Sequence, residues 1–151
     1  MSDTEKHIDC VLVPQFETQL LLPRASVVQV IDSEKLDIVV DLQGGVLGKL
    51  QWQGWTIPLV SFESILNGTI PKFNRDTKAV ILHSLIDDAV TPYIAVTSQG
   101  VPQDIEISEA KIDMTEMSDS DFIQSKVYVN SDIQAYIPEL PVLVTYTAQF
   151  I

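Results

Sequence analysis

The residues that could hold a phosphate lie in one short segment, QGGVLGKLQWQG, residues 43–54, which places glycines close to a lysine. A P-loop requires G-x-x-x-x-G-K-[ST], so that a backbone turn surrounds the phosphates and a hydroxyl binds magnesium. Here only three residues separate Gly44 from Gly48, and Leu50 follows Lys49. A dinucleotide-binding fingerprint would lead into a helix, whereas the residues after Gly48 alternate as in a strand. We predict no phosphate site and assign the glycines to tight turns that need a positive φ angle.

The histidines are the next candidates for chemistry, and the chain has two, His7 and His83. Neither has a cysteine or a carboxylate at the spacing of a metal ligand on the same strand face, so we predict no metal site. His83 alternates with Ile81 and Leu85 in VILHSLI. This pattern favours a hydrogen-bonded core or interface histidine over a catalytic one.

Paired carboxylates could share a proton or a cation, and the chain has two such pairs, Asp87 with Asp88 and Asp119 with Asp121. Both pairs lie next to predicted turns, where Asp is common because it hydrogen-bonds to nearby backbone. The sequence contains neither an EF-hand loop nor a G-x-S-x-G nucleophile motif. We therefore predict a protein that is not an enzyme, with no catalytic residue and no cofactor.

The net charge limits which partners the chain can bind. The sequence has nine basic and 21 acidic side chains, so its formal charge is −12. Such a chain repels nucleic acid and anionic lipid, so neither is an expected partner. The single cysteine, Cys10, excludes an intramolecular disulfide and a cysteine-based zinc site. The polar start, MSDTEKHIDC, does not resemble a signal peptide, and no stretch approaches the roughly 20 apolar residues of a membrane span. We expect a cytoplasmic protein with no direct membrane insertion.

Short apolar runs separated by Pro, Gly or Asn dominate the chain, from HIDCVLVP to PVLVTY at residues 141–146. Runs of this length that are rich in Val and Ile indicate strands, and about ten are present. We predict a mostly β fold in a single domain over residues 1–151, built as two lobes, with residues 1–7 flexible. Strands this short and turns this frequent favour small barrels.

Helical signals are few, and the best one is SFESILNG, residues 61–68, where Ser61 can cap the first turn and Asn67-Gly68 can end the helix. Residues 108–121 could form a helical turn or two, or a solvated loop. Residues 67–78 combine Gly, Pro and Asn, which predicts a surface loop between two β-rich halves.

Two tryptophans, Trp52 and Trp55, flank Gln53-Gly54 in a predicted tight turn. Large aromatic side chains at such a place either pack in the core or bind a partner, because a partly exposed tryptophan offers rigid contact area. The sequence leaves both interpretations open.

Two segments together carry a family resemblance, LLLPRASVVQVI at residues 20–31 and GVLGKLQWQGWTIPLVSFESILNG at residues 45–68. They resemble the CheW-like domain of the coupling proteins that link chemoreceptors to a histidine kinase in bacterial chemosensory arrays. The positions that match the family pattern are Pro23, Val27, Val30, Gly48, Leu50, Gly54, Pro58, Leu59 and Val60. Four positions depart from it: Gln29 replaces the usual acid, Gln53 the usual arginine, and Ser61-Phe62 the usual Asp-Leu.

The resemblance implies a fold of two five-stranded SH3-like β-barrel lobes that share one core, with one or two short helices. It also implies a non-catalytic adaptor, recruited to membrane-associated receptor arrays, whose partners are a CheA-type histidine kinase, methyl-accepting chemoreceptors and other CheW-like proteins. The form PLVSFE, residues 58–63, is similar to the ChpC-type proteins of chemosensory pili systems, which implies an output through type IV pili in twitching motility.

The resemblance also implies partner-binding residues, and Pro23 and Pro58 are expected to shape strand ends. By the same resemblance, Gln29 and Gln53 occupy the positions of a charge pair near the family's interface. The resemblance therefore leaves open whether this chain couples receptors to the kinase as other members of the family do. One alternative is a decoy that sequesters partners without activating them, and another is a small-molecule enzyme or sensor that uses the cleft between the lobes. The expected contact residues are Val27, Val28, Gln29, Leu50, Trp52, Gln53 and Gly54.

Overall fold

The computed structural model describes residues 7–32, 38–43, 45–68, 75–84, 92–108, 113–116, 122–128 and 133–147. These residues form twelve β-strands, two short α-helices and one 3-10 turn at Arg24–Ser26. The strands are β1 (His7–Pro14), β2 (Gln19–Pro23), β3 (Val27–Asp32), β4 (Ile38–Gln43), β5 (Val46–Trp52), β6 (Trp55–Val60), β7 (Lys78–His83), β8 (Tyr93–Ser98), β9 (Gln103–Ser108), β10 (Asp113–Glu116), β11 (Ile123–Tyr128) and β12 (Gln134–Pro138). The helices are α1 (Phe62–Asn67) and α2 (Leu140–Thr147).

The strands form two sheets, which define two lobes. The first lobe has the strand order β10-β11-β12-β2-β1-β9, and the second has β3-β7-β8-β6-β5-β4. The prediction of a mostly β, two-lobed fold with short helices is confirmed, and each sheet has six described strands where the resemblance implied five.

The first lobe combines strands from both ends of the chain, because β1 and β2 pair with β9 and β12. The second lobe is continuous in sequence from β3 to β8. The prediction that residues 67–78 separate two β-rich halves is therefore wrong. That segment leads from α1 to β7, and the second lobe is completed only after it, by β7 and β8.

Buried side chains form three clusters, one inside each lobe and one between the lobes. The cluster between the lobes, called the shared core here, takes residues from both sheets and from α2. Neighbouring residues on one strand divide between clusters: Val11 and Val13 enter the shared core, whereas Cys10 and Leu12 enter the first-lobe core. Strands that are buried on both faces need an unbroken apolar sequence, which explains the runs seen in the sequence. The shared core contains Val11, Val13, Leu20, Leu22, Val46, Val60, Phe62, Val80, Leu82, Ile94, Val96, Ile123, Leu140, Leu143 and Val144.

Helix α1 forms where the sequence predicts it. The Ser61 hydroxyl accepts a hydrogen bond from the Ser64 backbone N–H at 3.3 Å, and Gly68 ends the helix at a φ of 75° while its N–H donates to the Ser64 carbonyl. Gly45, in the turn before β5, lies against this helix at a φ of 91°, and a Cβ there would stand 2.9 Å from the Ile65 nitrogen. Helix α1 therefore occupies the space in which a side chain at position 45 would lie, and Gly45 has the structural role that the sequence predicts.

Two other expectations are corrected by the structure. The run at residues 141–146 lies in helix α2, because Leu140, Leu143, Val144 and Thr147 follow helical spacing and are buried together. Within residues 108–121, left open between helix and loop, Asp113–Glu116 form strand β10 and pair with β11. The rest of that segment, after Ser108, lies outside the described residues.

A buried carboxylate joins the two lobes. Glu63 extends from α1 to the turn between β1 and β2, where it accepts hydrogen bonds from the backbone N–H groups of Phe16 at 2.6 Å and Glu17 at 3.0 Å. Glu63 is only 4% exposed. Backbone donors buried without an acceptor are costly, so this carboxylate fixes the turn to the second lobe.

Replacing Glu63→Gln is expected to destabilise the protein by about 1–3 kcal/mol, because an amide NH₂ would face one of two backbone donors that now have an acceptor. Urea unfolding followed by circular dichroism measures the change. The matched control is Glu17→Gln, since the Glu17 side chain is exposed and its contact with Glu63 is through backbone. Equal stability of the two variants would contradict the role given to the Glu63 carboxylate.

Candidate functional site

One side-chain hydrogen bond brings the ends of the second sheet together. The Trp52 indole nitrogen on β5 donates to the Gln29 side-chain oxygen on β3 at 3.0 Å, although three strands separate β3 from β5 in the sheet order. Val28 and Ile31 of β3 also pack on the second-lobe core, which contains Leu50 and Trp52. The sheet therefore curves strongly, so that its first and fifth strands meet.

The predicted tight turn joins β5 to β6. Gln53 has a φ of 47° and Gly54 a φ of 81°, and Trp52 pairs with Trp55 across the hairpin. Positive φ at both central residues is typical of the type I′ hairpin, whose twist matches that of the flanking strands. Gln53 is the one non-glycine residue with a positive φ in the part of the chain that the structure describes.

Four aromatic rings meet beside this turn. The Tyr93 ring, at the start of β8, lies 4.9 Å from the Trp52 ring and 6.1 Å from the Trp55 ring, both nearly edge-to-face. The His83 ring lies 5.8 Å from the Tyr93 ring, tilted by 36°. Edge-to-face packing stabilises such pairs beyond the area they bury, so the rings hold one another in place. These four rings, with Gln29 and Gln53, are called the aromatic face below.

The two tryptophans have different roles. Trp52 is 9% exposed and belongs to the second-lobe core, whereas Trp55 is 42% exposed. Core packing, one of the two interpretations left open by the sequence, thus applies to Trp52. The Trp55 ring is open to the solvent, and partner binding through it stays a prediction.

The structure brings most of the expected contact residues to one end of the second lobe. Gln29, Gln53 and Gly54 are exposed, and Val27 and Val28 are half-buried. Leu50 is 1% exposed inside the second-lobe core, so its expected partner contact is wrong: its side chain supports the face from within. The assignment of the other residues to partner contact stays a prediction.

The two prolines differ in position. Pro23 ends β2, as expected, but Pro58 lies inside β6, which continues to Val60. The expected strand-end role of Pro58 is therefore wrong. The described pairing of β6 with β8 begins at Leu59, one residue after this proline.

The family resemblance predicts that Gln29 and Gln53 stand where related proteins have a charge pair, and the structure shows the contact that Gln29 makes. Its side-chain oxygen accepts from Trp52. Gln29 therefore orients the indole ring that supports Tyr93.

Two residues of the aromatic face were assigned differently or not singled out from the sequence. His83 was expected in the core or an interface, and its place in the core is wrong: the side chain is exposed because β7 ends there, beyond the buried Ile81. Tyr93 was not singled out. Its signal in the sequence is an aromatic residue at the start of an apolar run, a pattern that does not show which other strands lie nearby.

The candidate chemical groups among the described residues are two histidines, Cys10 and several carboxylates. No group of three or more metal-binding side chains occurs there. Burial, together with the Asp9 charge, raises the pKa of the Cys10 thiol, which disfavours the reactive thiolate. The aspartates at 87, 88, 119 and 121 lie outside the described residues.

Acrylamide quenching distinguishes the two tryptophans, and a neutral quencher avoids repulsion by the charge of −12. Trp55→Phe is expected to remove most of the quenchable fluorescence, because the exposed ring is lost and the remaining indole is buried. Trp52→Phe is the matched variant and is expected to leave strongly quenched emission. Equal quenching of the two variants would contradict the arrangement of these rings.

The structure resembles the crystal structure of the scaffolding protein TtCheW from Thermoanaerobacter tengcongensis, with a TM-score of 0.71 over 91% of this chain and 92% of that chain. The two sequences are 17% identical, so the likeness shows the fold. The comparison with curated proteins found no match.

None of the described helices is long and apolar enough to cross a membrane. A family model for the CheW-like domain matches residues 9–144, which include every described strand from β2 to β12 and most of α2. The chain belongs to the CheW-like domain family.

Proposed function

We propose that this protein is a non-catalytic adaptor of a bacterial chemosensory system that couples methyl-accepting chemoreceptors to a CheA-type histidine kinase. Membership in the CheW-like family supports an adaptor role, and the solved relative is itself described as a scaffolding protein. The single observation that carries the proposal is the aromatic face, an internally braced surface that exposes the Trp55 ring. Three of its six residues, Gln29, Trp52 and Gln53, are ones for which the family resemblance predicts partner contact.

The aromatic face has the properties of a protein-binding surface. Trp55 is exposed on a short hairpin, and Tyr93 holds its ring from one side. A rigid aromatic side chain loses little conformational entropy when it is buried by a partner, which is why tryptophan and tyrosine concentrate binding energy at interfaces. This surface contains no Asp, Glu, Lys or Arg among its six residues.

An uncharged face has a consequence for the choice of partner. A partner surface that presents an unpaired charge here would lose its hydration without gaining an opposite charge. We expect the preferred partner to present apolar and amide groups, and we expect its affinity to change little with salt. The glutamines at 29 and 53 thus select a partner different from one that recognises an Arg–acid pair.

The same observation favours a second candidate function, that of a decoy. A surface that binds the kinase or the receptor without the family's charge pair would occupy the partner without activating it. The alternative of a small-molecule enzyme or sensor has less support, because its candidate residue His83 is exposed on the aromatic face and packs on Tyr93.

The proposal extends to the cellular setting. We propose that the protein acts in the cytoplasm, is recruited to membrane-associated receptor arrays, associates with other CheW-like proteins, and controls twitching motility through type IV pili. The support for the pilus output is the PLVSFE form of residues 58–63. A deletion strain that keeps normal twitching would contradict this part alone.

Trp55→Ala is expected to weaken binding to the regulatory domain of the cognate kinase, or to the receptor tip, by about 30-fold, the effect of a typical central tryptophan. Isothermal titration at low and high salt measures the loss and the expected small salt dependence. Val142→Ala is the control, since Val142 is an exposed apolar residue on α2. An equal loss in the control would show that the aromatic face is not the binding surface, and binding to neither partner would remove the coupling proposal.

A reconstituted kinase assay separates the adaptor from the decoy. We expect added protein to raise receptor-dependent autophosphorylation of the kinase, and Trp55→Ala to abolish the rise. A fall in phosphorylation that also depends on Trp55 would instead establish the decoy function. If neither the unaltered protein nor Trp55→Ala changes the phosphorylation, both the adaptor and the decoy function are contradicted.

A further inference from the structure

A second surface lies on the first lobe, where β1 ends and β2, β9 and β12 begin. It is a groove of about 590 Å³ between the β1–β2 turn and the segment that leads into β9. Phe16 and Val101 both line it and are 44% and 70% exposed. Exposed apolar side chains that line a groove are typical of sites that receive a side chain from a partner.

Both sides of this groove are braced by hydrogen bonds to buried groups. The backbone N–H groups of Phe16 and Glu17 donate to the Glu63 carboxylate, and the Gln15 side chain donates to the Thr97 carbonyl at 2.8 Å. The Gln99 N–H donates to the Pro14 carbonyl at 2.8 Å, which ties one side to the other. Phe16 is therefore presented on a fixed backbone, and binding would not have to order the turn.

The charge of the groove restricts what can occupy it. Among the described residues that line the groove, Glu17 is the one charged residue, and the others that are polar are glutamines and Thr18. The chain as a whole carries a charge of −12. A carboxylate in a mixed groove that also exposes apolar side chains, on an acidic protein, complements a cation next to an apolar side chain, and it opposes an acidic partner.

We infer that this groove binds a basic-apolar peptide segment of a second protein, in which a bulky apolar side chain lies between Phe16 and Val101 and flanking Lys or Arg side chains pair with Glu17. The amides of Gln19 and Gln103, which line the groove, can serve the backbone of an extended segment. A second copy of this chain is a poor occupant, because two copies that each carry −12 repel each other.

This surface is separate from the aromatic face and goes beyond the proposed function. Strand β8 begins at Tyr93 in the aromatic face and ends at Ser98, next to the groove segment. Six residues of strand span about 20 Å, so the two surfaces lie at opposite ends of one strand. The protein can therefore hold two partners at once, one at each end.

Fluorescence anisotropy on the full chain tests the inference with three labelled peptides. The probe is GSKRLFKRSG, the charge-reversed peptide is GSEELFEESG, and the peptide without apolar side chains is GSKRGGKRSG. We expect only the first to bind, and we expect Phe16→Ala and Val101→Ala each to weaken it by about tenfold, as for apolar contacts at the centre of an interface. Glu17→Lys is expected to weaken it by about fivefold or more, through loss and reversal of the pairing charge.

The controls are Trp55→Ala, which must leave peptide binding unchanged, and circular dichroism of each variant. All three groove variants change exposed residues, so they are expected to fold. Binding of the charge-reversed peptide, binding that does not depend on Phe16, or no binding of the first peptide would each overturn the inference. Sedimentation that shows a dimer lost in Phe16→Ala would overturn it as well, by assigning the groove to a second copy. Failure of the groove here leaves the Trp55-dependent binding test unaffected, so the two proposals fail separately.

Discussion

The burial of both faces of the central strands is the constraint on which the rest of the structure depends. Along β1, β2, β7 and β8, alternate residues enter the shared core and the residues between them enter a lobe core. A polar side chain at either kind of position would lie in a dry environment, where an unpaired polar group is costly. Exposed groups that could contact a partner are therefore found mainly at strand ends and turns, where most of the aromatic face and the groove lie.

The hydrogen bond between Trp52 and Gln29 gives a polar group of the second-lobe core a partner. Trp52 packs in the second-lobe core and is 9% exposed, and the exposed residue Gln29 provides the acceptor for its indole N–H. The bond also links β3 to β5, which are not neighbours in the sheet. A neutral pair can do this without the desolvation cost of an ion pair.

Local patterns were predictable from the sequence, and non-local placement was not. The cap and end of α1, the turn at Gln53-Gly54 and the apolar strands each depend on neighbouring residues, so they were identified correctly. The exposure of His83, the burial of Leu50 and the helical state of residues 141–146 depend on which strands and helices pack nearby. Glu63 gave no signal at all, because its partners lie more than 40 residues away at Phe16 and Glu17.

The order of strands in the two lobes bears on how the chain folds as it is synthesised. All strands of the second lobe are present once β8 has been made, so that lobe can form early. Strands β1 and β2, made first, must wait for β9 and β12 before their sheet is complete. During this interval their apolar residues would be exposed, and exposed strands of this kind are prone to aggregate. A β1–β2 hairpin held early against the second lobe by Glu63 would shorten that exposure. The Glu63 carboxylate would then reduce aggregation during folding, in addition to stabilising the finished fold.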